Sequence, residues 1–138
     1  MKIEPYIFLE GRTEEALDFY AKALGAKVEM MMRFSESPDP VPAQMLPPGG
    51  AGKIMHASFM LGESRIMASD GHAQREPNFQ SFSLAITAAD EKEARRVFDA
   101  LASNGGAVRS PLQKTFFSPC FGMVRDRFGV GWMVMVPG

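Results

Sequence analysis

Few side chains in this 138-residue chain can do chemistry near neutral pH, and they are scattered. His56 stands between Met55 and Ala57 in an apolar run. An imidazole there is either a polar anchor or general base, or a half-buried structural group with one nitrogen satisfied. His72 sits in a polar stretch and reads as solvated; a two-histidine metal site would need a carboxylate such as Asp70 or Glu63 beside it. Cys120, between Pro119 and Phe121, has no basic sequence neighbour to activate it and reads as a buried thiol. Ser81 and Ser83 alternate, so both hydroxyls are expected on one strand face, there to bind a ligand or the backbone. Phe116 and Phe117 suggest an aromatic wall or lid, or equally core or interface. Methionine is abundant, at 11 residues. Met67, Met133 and Met135 are expected on an inner face, either as an adaptable apolar pocket lining or as gap-fillers. The run Gly49-Gly50-Ala51-Gly52-Lys53-Ile54 is not a phosphate loop, because Pro47 stands where the first glycine is required and Ile54 replaces Ser/Thr. No Gly-x-Gly-x-x-Gly follows a strand, so a dinucleotide site is unsupported.

Composition narrows the classes further. Lys plus Arg number 15 and Asp plus Glu 16, a net charge of -1, which leaves no basic footprint for nucleic acid or an anionic membrane. One cysteine excludes an internal disulfide and a Cys-based zinc site within one chain. No apolar run approaches the roughly 20 residues of a membrane span. The opening Met-Lys-Ile-Glu-Pro lacks a signal peptide's apolar stretch, so a cytoplasmic location is expected.

The elements that position these residues recur twice. Residues 3–9 read as a strand, and Thr13 as the N-cap of a helix whose stripe is Ala16, Leu17, Tyr20 and Leu24, closed by Gly25. Lys27–Phe34 reads as a strand. Residues 35–52, with five prolines and three glycines, read as a loop. Lys53–Leu61 and Ser64–Ser69 then form a hairpin around Gly62-Glu63. In the second half, Gln80–Thr87 reads as a strand and Asp90 caps a helix, with Glu93 at capping-box spacing and a stripe of Ala94, Val97, Phe98 and Leu101. Strands follow at Ala107–Gln113, Cys120–Arg125 and Val130–Val136. The order strand–helix–strand–strand–strand therefore occurs twice. Matching Gly25 with Gly105 and Met67 with Met133 gives offsets that differ by about the length of the Pro/Gly-rich loop, so one insertion explains the drift. The organisation expected is a first module over residues 1–71 carrying the 35–52 insertion, a connection over 72–79, and a second module over 80–138. Each half is too small to be comfortable alone.

Five segments resemble a known family. Pro5-Tyr6-Ile7-Phe8-Leu9-Glu10-Gly11, Glu14-Glu15-Ala16-Leu17-Asp18-Phe19-Tyr20 and Leu24-Gly25-Ala26 resemble the opening of PhnB-like proteins. Lys53-Ile54-Met55-His56-Ala57 and the run from Phe121 to Trp132 are similar to the same branch of the glyoxalase/bleomycin-resistance (vicinal oxygen chelate) superfamily. The resemblance implies an α+β fold of two βαβββ modules, whose curled mixed sheets enclose a cleft for a small organic ligand, in a homodimer. Metal-dependent members carry four ligands, a His or Gln in the first strand of each module and usually a Glu in each last strand, a set suited to octahedral O/N-ligated ions.

Carried onto this chain, those four positions fall on Pro5, Met67, Ser81 and Met133, none a ligand for a hard divalent ion. A shift of one residue offers Glu4 and Gln80 but then Ile66 and Trp132, and a one-residue slip turns a strand's side chains to the opposite face. No metal and no cofactor are therefore expected. The pocket expected from the resemblance is lined by Pro5, Ile7, Met67, Ser69, Ser81, Ser83, Met133, Met135, Phe116 and Phe117. The expected function is metal-independent binding of an unidentified small molecule. The alternative is an enzyme of the glyoxalase or dioxygenase type that uses His56 as acid/base, or a metal held by unorthodox ligands (His56, Asp70, Glu4). The branch is often labelled a ubiquinone-biosynthesis methyltransferase, but nothing here resembles a glycine-rich S-adenosylmethionine loop.

Overall fold

The computed structural model describes residues 1–72 and 76–138, and divides the chain into two units, Met1–Pro77 and Asn78–Gly138. The expected connection over 72–79 thus lies partly outside the described residues. Each unit is one helix laid on one four-stranded mixed sheet. In the first, β1 (Tyr6–Phe8), α1 (Thr13–Leu24), β2 (Lys27–Arg33), β3 (Ile54–Leu61) and β4 (Ser64–Ser69) give the strand order β1-β4-β3-β2. In the second, β5 (Leu84–Thr87), α2 (Glu91–Ala102), β6 (Ala107–Gln113), β7 (Phe121–Arg125) and β8 (Gly131–Met135) give β5-β8-β7-β6. The first and last strands of each unit pair in parallel, and the remaining neighbours are antiparallel. This is the α+β, two-module βαβββ architecture expected. Among the described residues no helix is long and apolar enough to cross a membrane.

The core of each unit lies between helix and sheet. Alternation along β3 and β4 sends Ala57, Phe59, Ile66 and Ala68 toward α1, where Phe59 stacks on Tyr20 at 5.6 Å between ring centres. In the second unit Val124, Trp132 and Val134 are buried under Ala94, Val97, Phe98 and Leu101 of α2. Gly122 is required there: a Cβ would stand 2.7 Å from the Phe98 ring.

The two helices are capped differently. Asp90 Oδ1 accepts the Glu93 N–H at 2.8 Å, so Asp90 caps α2 as its sequence predicts, while Glu93 Oε1 reaches past the cap residue to the Ala89 N–H at 3.5 Å. Thr13, expected to cap α1, is instead its first helical residue. Its hydroxyl is buried with no hydrogen-bond partner, and its N–H is accepted at 2.9 Å by Asp70 Oδ1, 57 residues away. Asp70 Oδ2 also accepts the Ile54 N–H at 2.7 Å, so one buried carboxylate joins the ends of β3 and β4 to the start of the helix. Gly25 closes α1 in the left-handed conformation (φ 71°), as expected.

The long loop between β2 and β3 contains three short 3-10 turns. Arg33 latches its start to α1 through a two-pronged pair with Glu14 (2.7 and 3.0 Å) and also donates to the Gly52 carbonyl at 2.8 Å. β5 starts at Leu84, four residues later than the sequence suggests, because Asn78 Oδ1 accepts the Gln80 N–H at 3.2 Å and Ser81 adopts φ 72°, a turn in place of extended chain.

Candidate functional site

The face of the first sheet turned away from α1 is set by register. β1 and β4 align Tyr6 with Met67 and Phe8 with Ser69; β3 adds His56, Ser58 and Met60 to that side, and β2 adds Met30 and Met32 opposite Ser58 and His56. The result is a thioether and aromatic surface around a few polar atoms. Its centre is a pair the sequence reading half missed: Tyr6 Oη lies 2.9 Å from His56 Nδ1, with the rings tilted and their centres 5.5 Å apart. Phe8 extends the cluster, 5.2 Å from Tyr6. Burial pushes the Tyr6 phenol above its ordinary range, and a hydrogen bond with Ser69 partly opposes that shift. Tyr6 is therefore a neutral phenol at physiological pH.

At the other end of this face Arg65 is held by two carboxylates. It donates to Glu29 at 2.8 Å and lies 3.6 Å from Glu4. That contact draws the Glu29 carboxyl below its usual range, chiefly through the Arg65 hydrogen bond. Glu4, which only a one-residue shift would offer as a ligand, comes to this face as an ion-pair partner of Arg65. Gln80 lies in the turn before β5.

Two residues expected in the pocket are placed elsewhere. Ile7 is 3% exposed on the side facing α1, because the β1–β4 register puts Tyr6 beside Met67. Pro5, lacking an N–H, precedes the strand and offers its carbonyl to the Met67 N–H at 3.0 Å. Met67 and Ser69 do lie on the open face. The aromatic pair Tyr6 and Phe8 was legible as the alternation partner of the aliphatic pair Ile7 and Leu9, both buried.

The second sheet's open face carries Met123, Met133, Met135 and Phe121, all half-buried. Ser83 stands beside Gly131, its Oγ 3.1 Å from where a Cβ would project. Ser81, exposed in the turn, lies outside the strand. Phe117 meets Phe121 edge-on at 5.0 Å and so continues this face, while Phe116 packs on Phe117 at 5.1 Å and is fully exposed. Cys120 is buried and His72 is exposed.

Neither metal arrangement weighed from the sequence finds its donors. Pro5, Met67, Ser81 and Met133 supply a ring carbon skeleton, two thioethers and a turn hydroxyl, a poor match for a hard octahedral ion. Asp70 is buried with both oxygens accepting backbone N–H groups at the start of α1 and β3. Among the described residues no three His, Cys, Asp or Glu side chains come close enough to hold a metal ion. A separate cavity of about 260 Å³ is lined by Gly11, Glu14, Gly49, Gly52, Lys53, Ile54 and Asp70. Its charges are engaged: Lys53 donates to the Gly11 carbonyl at 3.0 Å, and Glu14 holds Arg33.

Comparison with known proteins places this geometry among relatives. Residues 1–135 match the model of a family described as 3-demethylubiquinone-9 3-methyltransferase. The chain is 33% identical to Protein YjdN of Escherichia coli (strain K12), over 99% of this chain and 95% of that one. Among solved structures it resembles protein PA1353 from Pseudomonas aeruginosa, with a TM-score of 0.84 and 38% identity, covering 99% and 98% of the two chains. It also resembles a PhnB protein from Bacillus cereus described as a putative 3-demethylubiquinone-9 3-methyltransferase, with a TM-score of 0.80, 30% identity and 99% of each chain covered. A glyoxalase-related enzyme from Fulvimarina pelagi shares the fold at 15% identity and a TM-score of 0.65, covering 99% of this chain and 88% of that one.

Proposed function

Because the chain belongs to the PhnB-like family within the glyoxalase/bleomycin-resistance superfamily, we propose that it is a small-molecule-binding protein whose ligand rests on the open face of the first sheet. The observation that carries this reading is the Tyr6–His56 pair, two polar atoms 2.9 Å apart beside Phe8, Met30, Met32 and Met67, with Ser58 and Ser69 on the same face. Small-molecule sites commonly combine apolar walls with a few placed polar groups, and flexible thioethers adapt to varied shapes. Binding proceeds without a metal, since among the described residues no three His, Cys, Asp or Glu side chains come close enough to hold one. A glyoxalase-type reaction would then lack its Lewis acid, a contribution of several kcal/mol to such barriers. The methyltransferase activity in the family's description finds no support in this chain, because no glycine-rich loop follows β1, where Glu10-Gly11-Arg12 leads directly into α1. A homodimeric, cytoplasmic protein is the state in which we expect it to work.

Native mass spectrometry of freshly purified protein tests this reading. The expected result is a co-purified organic molecule, released by His56→Phe, with no stoichiometric transition metal. A tightly held divalent metal, or a ligand retained unchanged by His56→Phe and Tyr6→Phe, would sink it. The same pair favours a second reading, an acid–base enzyme. Steady chemical conversion of the co-purified molecule by the wild type, abolished in His56→Phe, would select that reading instead.

A further inference from the structure

We propose that the open face of the first sheet also holds one soft monovalent metal ion, copper(I) or silver(I), between the sulfurs of Met30, Met32 and Met67 and the Nε2 of His56. Such a site goes beyond the organic-ligand reading and stands independently of it. Register gathers the four donors around one small residue. Ser58 of β3 has Met30 of β2 opposite it on one side and Met67 of β4 on the other, and Met32 stands opposite His56 two residues along. Side chains directly opposite in a sheet start about 5 Å apart at Cβ, and diagonal neighbours about 7–8 Å. Methionine is unbranched with three rotatable bonds, so its sulfur can sweep such a gap. Ser58 lies on the open face yet is only 8% exposed, so the longer side chains around it close over it. Met32, Met67 and His56 are half-buried and Met30 is exposed, which leaves the group in reach of solvent. His56 uses Nδ1 toward Tyr6 at 2.9 Å, and Nε2 is its remaining ring nitrogen. A histidine that ligates through one nitrogen is oriented by a hydrogen bond at the other, and the Tyr6 oxygen can accept the Nδ1–H that this requires. Either tautomer of the free protein serves, since the proton stands on Nδ1 once Nε2 takes the ion.

Donor chemistry selects the ion. Among the described residues no three His, Cys, Asp or Glu side chains come together, so a hard divalent ion finds no oxygen cage. Thioethers are soft, polarizable ligands that suit copper(I), and silver(I) is its redox-inert analogue. None of the four donors brings a negative charge, so the ion is held reversibly and is lost on purification. The second sheet is an internal control. Its open face pairs Met123 with Met133 and adds Met135, three thioethers with no imidazole.

Silver nitrate titrated into the full chain carrying ¹³C-methyl methionine, in chloride-free buffer, tests the site. The first equivalent should move the methyl signals of Met30, Met32 and Met67 together. Met45 of the β2–β3 loop and Met123, Met133 and Met135 should hold still. Magnesium(II), a hard ion, should move none of them. His56→Phe and the nearly volume-conserving Met30→Leu each remove one donor. Each should weaken silver binding roughly tenfold or more, since even an outer partner of a metal ligand is worth that much. Cys120→Ala, which removes the buried thiol, should leave the affinity unchanged. Three results overturn the inference: first shifts at Met45 or on the second sheet, an affinity unchanged in both donor variants, or shifts that vanish in Cys120→Ala. Each of them leaves the organic-ligand reading standing.

Discussion

The two units share one strand order, yet each uses its one buried aspartate for a different join. In the first, Asp70 reaches from the end of β4 to the start of α1 and the start of β3, tying helix to sheet. In the second, Asp126 closes the β7–β8 turn, accepting Phe128 N–H at 2.9 Å, Val130 N–H at 3.1 Å and the Trp132 indole N–H at 2.9 Å. The second helix needs no such help because Asp90 caps it locally by accepting the Glu93 N–H. The difference teaches that a duplicated topology fixes which backbone groups must be satisfied and leaves open who satisfies them. It also tracks the open faces. The first unit places a phenol and an imidazole among thioethers, while the second keeps thioethers and Phe121 without such a pair.

The comparison can be broken most forcefully at the two aspartates. Asp126→Ala strands three buried donors and should cost about 3–5 kcal/mol, against about 2–4 for Asp70→Ala, which strands two. Trp132 is the chain's one tryptophan and lies in the second unit. In urea titrations its fluorescence should shift markedly for Asp126→Ala and far less for Asp70→Ala. Equal displacement of the tryptophan signal by both variants would mean that the two carboxylates do not act locally.

A subtler test separates the caps. Were Thr13 the N-cap, Thr13→Val would cost about 1 kcal/mol. With Asp70 as the acceptor and the Thr13 hydroxyl buried without a partner, Thr13→Val should be neutral or slightly stabilising. Thermal melts of that variant beside Asp90→Ala, which should lose roughly 1 kcal/mol, decide the matter.

The smallest expected effect is acid-dependent. Arg33 draws the Glu14 carboxyl below its ordinary range, mainly by their hydrogen bond. A carboxyl depressed by folding adds stability above its unfolded value, near 4.5, that is lost as pH falls through the folded one. Because Glu14 is exposed, the loss should be at most about 1 kcal/mol. Glu14→Gln should flatten that part of the stability–pH curve by lowering the neutral-pH value by the same small amount and leaving the acid value nearly unchanged.

The architecture was legible in the sequence because both helices are amphipathic, Gly25 stops the first, and Asp90 with Glu93 starts the second. Those signals are local. What was not legible depends on partners distant in sequence. Thr13 looks like a cap from its neighbours alone, and only the fold brings Asp70 to it. The strand before α2 looks four residues longer than it is because Phe82 continues the alternation, while the Asn78 side chain ends it. The β1 register is the costliest case. Carrying positions from the family motif put Pro5 and Ile7 toward the ligand, while the parallel pairing with β4 sets Tyr6 beside Met67. A one-residue difference in a strand exchanges faces, so it hid the phenol that bonds to His56. His56 itself was found from sequence as a polar residue in an apolar strand, and its partner was not.

The central claim is that small organic molecules settle on the first sheet's open face, around Tyr6 and His56. Spectra of the full chain carrying ¹³C-methyl methionine test it directly, because methionines line that face and also mark places far from it in sequence. Titration with a small aromatic probe such as indole should move the methyl signals of Met32 and Met67, leave Met45 of the β2–β3 loop in place, and lose most of its effect in His56→Phe. Movement confined to Met45, or shifts at Met32 and Met67 that persist unchanged without His56, would contradict it.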